Sequence, residues 1–421
     1  MSEQPVPSTV PVSPAVPAPG RHGRLAVDFF AAQLVVNVTV GGVSQAMLPN
    51  QMASIAPADK VAAFGLVSGI GSLVGMLVQP LAGALSDRTR SRFGRRAPWL
   101  AVGAVGAGAL IVGLGLCSSL LLVALCWAVA QVFIAAFSAP LLAVMPDRTP
   151  PGKRGLFSGL AGIAVFAGGV VGVGFAARLA DRIPFGYSAF GLLLALGGLV
   201  FAWRLREHPA THADRPAVSL RTLARAMWVS PRRHPDFAWA FGARFALFLG
   251  YSAILGYQLF IMQDYIGLSR DAANDALSIN TIILAVTTLA GLLPAGMLSD
   301  RLGRRKPIIM VSSLVIAASA VPPLLSPTLP ALTVSIALAG LGAGCYLSVD
   351  QALMTLLLPR AEDNGKDLGV LNIANAGAQA LAPMVASLVI GSAAGYRGLF
   401  VMAIVLVTVA AAAIVPIKSA R

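Results

Sequence analysis

About twelve apolar runs of membrane-spanning length follow one another along this chain, at residues 26–48, 61–84, 98–117, 120–145, 155–180, 185–205, 237–262, 274–297, 307–325, 329–357, 368–392 and 397–417. A spanning helix needs roughly 20 such residues at about 1.5 Å of rise each. With 57% hydrophobic and 11% charged residues and a mean hydropathy of +0.79, the chain has too little polar surface to cover a soluble particle. The expected fold is an all-α membrane protein of twelve transmembrane helices.

Those helices fall into two related sets. Gly83–Pro98, G-A-L-S-D-R-T-R-S-R-F-G-R-R-A-P, recurs 213 residues later in shortened form as Gly296–Pro307, G-M-L-S-D-R-L-G-R-R-K-P. Asp87 maps to Asp300, Pro146 to Pro359 and Lys153 to Lys366 at the same offset of 213. The organisation that follows is a disordered cytoplasmic tail (1–20), a six-helix bundle (21–206), a polar cytoplasmic linker (207–236) and a second six-helix bundle (237–421). Parallel halves related about an axis along the membrane normal are a known plan for carriers, with the substrate site near midplane between them.

The net charge of +14 sits in alternate loops. Arg88, Arg90, Arg92, Arg95 and Arg96 follow helix 2, and Arg301, Arg304, Arg305 and Lys306 follow helix 8, whereas the intervening loops hold only Lys60, Arg178, Arg182, Arg270 and Arg397. The positive-inside rule then places both termini in the cytoplasm. The basic residues meet anionic lipid, not nucleic acid. Abundant Arg, Ala and Gly point to a bacterial inner membrane.

The twin loops also carry a likeness. G-x-L-S-D-R-x-G-R-R at Gly296–Arg305 resembles the helix 2–3 and 8–9 signature of the major facilitator superfamily. Within it, Gly75–Arg96, with the four-residue loop extension, is similar to the sucrose/proton and wider glycoside–cation symporters. The resemblance implies a monomeric alternating-access carrier whose helices 1, 4, 7 and 10 line the cavity. It also implies gating loops in which Asp87 faces the start of helix 11, and Asp300 the start of helix 5, when the cytoplasmic side is shut. Arg88, Arg95, Arg301 and Arg304 belong to the same expected gate, or anchor the loops on lipid. One departure matters: sucrose symporters carry an Asp nine residues before a helix 4 Pro and an Arg two residues after it. Around Pro140 those positions are Gln131 and Leu142, so that coupling pair is missing.

Charges inside a membrane are costly and mark function. Arg244 lies roughly 12 Å from the cytoplasmic start of helix 7 and Asp350 roughly 13 Å from the end of helix 10 at the helical rise. Their matched depths predict an ion pair, either moving with substrate or proton or statically joining the helices. Asp28 is a further coupling candidate near the cytoplasmic edge. For substrate binding the candidates are Asn37, Trp127, Gln131, Arg244, Tyr346 and Asp350, together with Asn372, Asn375 and Gln379, whose i, i+3, i+7 spacing puts them on one face of helix 11.

No phosphate-binding loop, nucleophile elbow or Cys/His metal spacing occurs. Cys117, Cys126 and Cys345 fall in or beside apolar runs and read as small hydrophobes. The expectation is a carrier without cofactor, metal or catalytic residue, working in a lipid bilayer on a small-molecule substrate. That substrate is a sugar or glycoside, coupled to protons or Na+. The alternatives are proton-driven efflux of a metabolite or drug and a non-transporting membrane sensor or scaffold.

Overall fold

A computed structural model describes residues 19–205, 235–302, 305–356 and 364–416. Among the described residues twelve helices are long and apolar enough to cross a membrane, and no strand occurs. In the first half, α1 (Pro19–Gly42) continues through a π turn (Val43–Met47) into Leu48–Ile55. It is followed by α2 (Lys60–Arg88), α3 (Ala97–Leu114), α4 (Leu120–Arg148), α5 (Arg154–Arg178) and α6 (Ile183–Arg204). In the second half, α7 (Pro235–Gly256) continues through Gln258–Phe260 into a π turn at Ile261–Tyr265. Then come α8 (Arg270–Leu302), α9 (Lys306–Ser319, extended by Val321–Leu325), α10 (Leu329–Leu356), α11 (Asn364–Ile390) and α12 (Gly395–Ala413). The expected tail and linker lie almost wholly outside the described residues.

Several helices outrun the apolar runs. Residues 84 and 297 end the hydropathy signal of α2 and α8, yet the helices reach Arg88 and Leu302. Hydropathy stops where charge begins, but the i to i−4 ladder needs only backbone, so charged ends stay helical past the hydrocarbon. The N-termini of α3, α6 and α9 each hold a proline within the first two positions, Pro98, Pro184 and Pro307, where the missing N–H costs nothing. Ser119 caps α4 by accepting a bond from the Leu122 N–H at 3.3 Å.

Helix packing repeats the duplication. In the first half α1 packs on α5, α2 on α4 and α3 on α6; in the second, α7 packs on α11, α8 on α10 and α9 on α12. Across the halves α2 meets α11 and α5 meets α8, a pairing that the same symmetry maps onto itself. Small residues allow the close crossings, since apolar lipid offers helices no hydrophobic drive to associate. A side chain at Gly172 would strike the Val38 carbonyl of α1, and one at Gly344 the Thr288 carbonyl of α8.

The α2–α3 loop turns at Gly94, whose φ of 91° lies in the left-handed region. A Cβ there meets the following carbonyl, so Gly94→Ala is expected to cost about 1–2 kcal/mol. A lowered thermal midpoint in detergent checks this.

Candidate functional site

A cavity of about 200 Å³ lies where the halves meet. Gln45 of the α1 π turn, Phe166 of α5, Phe248 and Tyr251 of α7, Thr281 and Thr288 of α8, and Tyr346 of α10 supply its aromatic and polar lining. The remainder is aliphatic or glycine. The Thr281 and Thr288 hydroxyls donate to Leu277 and Leu284 carbonyls of their own helix at 2.8 and 2.6 Å, so they face the cavity as acceptors.

The lining differs from the expectation of helices 1, 4, 7 and 10. Helix α4 contributes no lining residue to this cavity; α5 and α8 take its place. Trp127 is buried, with only 2% exposed, against Gly71 of α2, and Gln131 faces Gly75 of the same helix. Asn37 donates to the Gln33 carbonyl at 2.7 Å and packs on Gly168 of α5. All three therefore serve packing inside the first bundle in this conformation. Gln45, Thr281 and Thr288 were not singled out from the sequence, because single polar residues in apolar runs give no sign of which way they face.

Arg244 and Asp350 meet one helical turn from the cavity wall. Arg244 Nη1 lies 3.0 Å from Asp350 Oδ2, with side chains 5% and 1% exposed. Each is four residues from an aromatic that lines the cavity, Phe248 on α7 and Tyr346 on α10, and those two rings contact edge to face at 6.0 Å. The Arg244 guanidinium also lies 5.8 Å from the Phe248 ring centre. The pair is thus shielded from the cavity by one aromatic layer. Arg244 Nε and both Asp350 oxygens lack a well-aligned hydrogen bond, while the Tyr346 hydroxyl lies beside the Asp350 carboxylate, so the charges are compensated chiefly by each other.

The other intramembrane candidates stand elsewhere. Asp28 pairs with Arg204 of α6 at 3.3 Å, where half of the arginine is exposed, so it sits at a hydrated helix end. On α11, Gln379 donates to Asn375 at 2.6 Å; neither lines the cavity. The side chain of Asn372 lies outside the described residues.

At the end bearing the basic loops, Asp87 pairs with Arg96 of its own loop. Arg96, itself buried, is the centre of a cluster whose carboxylates are partly exposed. Its Nε and Nη2 reach Asp147 Oδ2 at 3.2 and 3.0 Å, and its Nη1 reaches Ser86 at 2.7 Å. Arg95 meets the same Asp147 at 2.6 Å. Arg96 and Asp147 join α2, the loop and α4, a role that the even spread of arginines in the motif conceals. Arg88 and Arg301 are exposed; the side chain of Asp300, and Arg304 altogether, lie outside the described residues.

Hydrogen bonds join the halves at the opposite, short-loop end. Asn50 and Asn274 exchange amide bonds at 2.8 and 3.2 Å, both buried. Arg270 Nε donates to Asn50 Oδ1 at 3.1 Å and its Nη2 to the Ala180 carbonyl at 2.7 Å. Lys60 pairs with Asp264 at 2.6 Å. The Tyr257 hydroxyl lies 3.2 Å from the Val61 carbonyl across the interface and 2.8 Å from the Pro383 carbonyl.

Known proteins place this architecture. The Major Facilitator Superfamily profile matches residues 29–291 and 258–420. The fold is similar to that of a bacterial homologue of the human lysosomal transporter Spinster, at a TM-score of 0.73 and 16% identity over 94% of this chain and 97% of that one. The nucleoside transporter NupG gives 0.75 at 12% identity over 93% and 99%, and a D-xylose–proton symporter 0.71 at 14% over 94% and 98%. In sequence, 53 residues are 51% identical to Proton-associated sugar transporter A of Homo sapiens, a match that covers 13% of this chain and 7% of that protein. With a family match along nearly its whole length and a duplicated twelve-helix fold, the chain belongs to the major facilitator superfamily of membrane transporters.

Proposed function

We propose that the chain moves a small hydroxylated solute, a sugar or glycoside, by alternating access, and that Arg244 and Asp350 couple the movement to a cation gradient. The observation that carries this reading is the buried Arg244–Asp350 pair one turn from the Phe248–Tyr346 layer of the central cavity. Charges held there at such desolvation cost suit a functional pair better than a structural one. A proton on Asp350 would weaken its hold on Arg244 and free both helices to move with the cargo.

Aromatic faces beside an amide and hydroxyl acceptors suit the apolar and polar faces of a sugar ring. The cavity volume of about 200 Å³ falls below the roughly 300–1,000 Å³ of sites that hold drug-sized ligands. The local identity to a proton-associated sugar transporter supports the same class. The aliphatic remainder of the lining favours a second reading, efflux of an amphipathic metabolite. The basic loops put the cluster around Arg96 in the cytoplasm, so the hydrogen-bonded end is the outer one and is shut.

Proteoliposomes test this. Uptake of radiolabelled sucrose, maltose or xylose is expected to rise with an inward proton gradient and to collapse with a protonophore. Absence of uptake for all three, with gradient-driven extrusion of a lipophilic cation, would overturn the sugar reading in favour of efflux.

A further inference from the structure

We infer that Cys117 and Cys126 are a redox-active thiol pair on the outer side of the first bundle, placed to close into a disulfide that staples the α3–α4 corner. The inference rests on the sidedness of the loops and not on the cargo or its coupling. In the sequence the three cysteines read alike, as small hydrophobes in apolar runs. The fold sets two of them apart from the third.

Geometry brings the pair together. Cys117 follows the end of α3 by three residues, and its Sγ turns back to donate to the Gly113 carbonyl at 3.3 Å. Cys126 lies in the second turn of α4, and its Sγ donates to the Leu110 carbonyl at 3.1 Å. Residues three apart are neighbours on one face of a helix, so both sulfurs rest on the same short stripe of α3. A Cβ at Gly113 would stand 3.7 Å from the Cys126 sulfur, which therefore lies over the residue whose carbonyl holds Cys117. The two thiols are in hydrogen-bonding contact. Cys345 belongs to the other half, where its Sγ faces the Gly291 carbonyl at 3.5 Å.

The loop between the two sulfurs is already anchored. Gln51, beyond the π turn of α1, donates through Nε2 to the Leu114 and Cys117 carbonyls at 2.7 and 3.3 Å. Its Oε1 accepts from the Tyr187 hydroxyl of α6 at 2.6 Å. Gln51 and Tyr187 are both buried, so the backbone that carries Cys117 is fixed from α1 and α6. The chain entropy of closing the loop is therefore lost in folding, and bonding of the sulfurs adds little to it.

Access and compartment supply the chemistry. Leu116, Ser118 and Ser119 are exposed beside Cys117, whereas Cys126 lies about 9 Å along α4, so an oxidant meets Cys117 first. The α3–α4 loop stands at the end opposite the basic loops, and compartments outside a cell membrane, the bacterial periplasm included, are oxidising. The oxidant is a disulfide, of a protein or of glutathione. Cys117 loses its proton to water and attacks one sulfur of that disulfide, forming a mixed disulfide and releasing one thiolate. Cys126, deprotonated in turn, attacks the Cys117 sulfur and releases the second thiolate, and both leaving thiolates take up protons. Two thiols of the chain become one disulfide as one oxidant disulfide becomes two thiols.

Full-length protein in sealed vesicles of known orientation tests the assignment, with oxidised glutathione as the probe. After exposure of the outer side, alkylation in denaturant is expected to find one free thiol of the three, Cys345, and a peptide bridging Cys117 to Cys126 that is lighter by two hydrogen atoms. Dithiothreitol should restore all three thiols. Cys345→Ser, which leaves the pair and its packing untouched, should show no free thiol after oxidation; Cys117→Ser should leave Cys126 and Cys345 both free. In detergent the oxidised protein is expected to melt about 5 °C above the reduced one, the effect of closing a loop of about ten residues. Three free thiols in folded protein after oxidation, or a bridge between two copies of the chain, would overturn the pair. Oxidation only with glutathione on the basic-loop side would overturn its outer placement, and equal melting of the two forms would overturn the staple.

Discussion

Asp350→Ala is expected to lower the stability of the protein by about 3–5 kcal/mol, the cost of leaving Arg244 buried and unpaired. That is a large share of the roughly 5–15 kcal/mol that holds a typical domain together. Arg244→Ala has the same sign, since it strands Asp350, whose side chain is 1% exposed. Replacing both, as Arg244→Met with Asp350→Leu, removes the stranded charge along with the pair. Stability should then return to within about 2 kcal/mol of the parent, since apolar replacement of a buried ion pair is often neutral. Thermal unfolding in detergent measures this cycle. The functional and static versions of the pair separate on uptake: if the pair only joins α7 and α10, the folded double variant still transports with its dependence on proton gradient. Coupling through the pair predicts a folded protein in which that dependence is lost.

Arg96→Ala is expected to be the most damaging change in the basic loops, at about 2–3 kcal/mol. It falls at or below the lower limit of the cost of breaking a buried pair because Asp87 and Asp147 are 37% and 26% exposed and water takes up part of their charge. Arg96→Lys should recover less than half of the loss. A single ammonium cannot hold Asp147, Asp87 and Ser86 from separate corners of a planar fork. Arg90→Ala, at an exposed position in the same loop, should stay within about 0.5 kcal/mol. Comparing melting curves of the three variants checks the order. Near-equal effects of Arg96→Ala and Arg90→Ala would show that the loop arginines act only as a diffuse positive charge.

The two clusters show what the loop motif conveys. Asp87, Asp300 and the arginines stand out in the sequence because they recur, and recurrence located the duplicated bundles. Recurrence did not identify Arg96 among five arginines as the buried one, nor Asp147, which lies 51 residues from it in the chain. Burial of Arg96 depends on how the Gly94 turn folds the loop back over the end of α4. Arg244 and Asp350 were legible for the opposite reason. Each is a charge in the middle of an apolar run, and depth along a helix is simple arithmetic at 1.5 Å per residue.

Asn50 and Asn274 lacked both signals. They are uncharged, do not recur at the repeat offset, and fall near the ends of their runs, where polar residues are common. Trp127 and Gln131 show the converse case. Their residue types and helix suggested a cargo site, but α4 turns them toward Gly71 and Gly75 of α2.

Sequence by itself determined that the chain is helical, that it crosses a membrane twelve times and that it is built from two related halves. The bilayer imposes those results on any chain with such runs, because length and apolarity alone decide whether a segment spans. Only the tertiary structure decided which side chains line the cavity, which arginine anchors the basic loop, and where the halves clasp. Each residue turns the helix by about 100°, and the rotation of one helix against another is set by close packing at glycines such as Gly172 and Gly344 and by two π turns. Neither hydropathy nor motif encodes that rotation, and the function of the site depends on it.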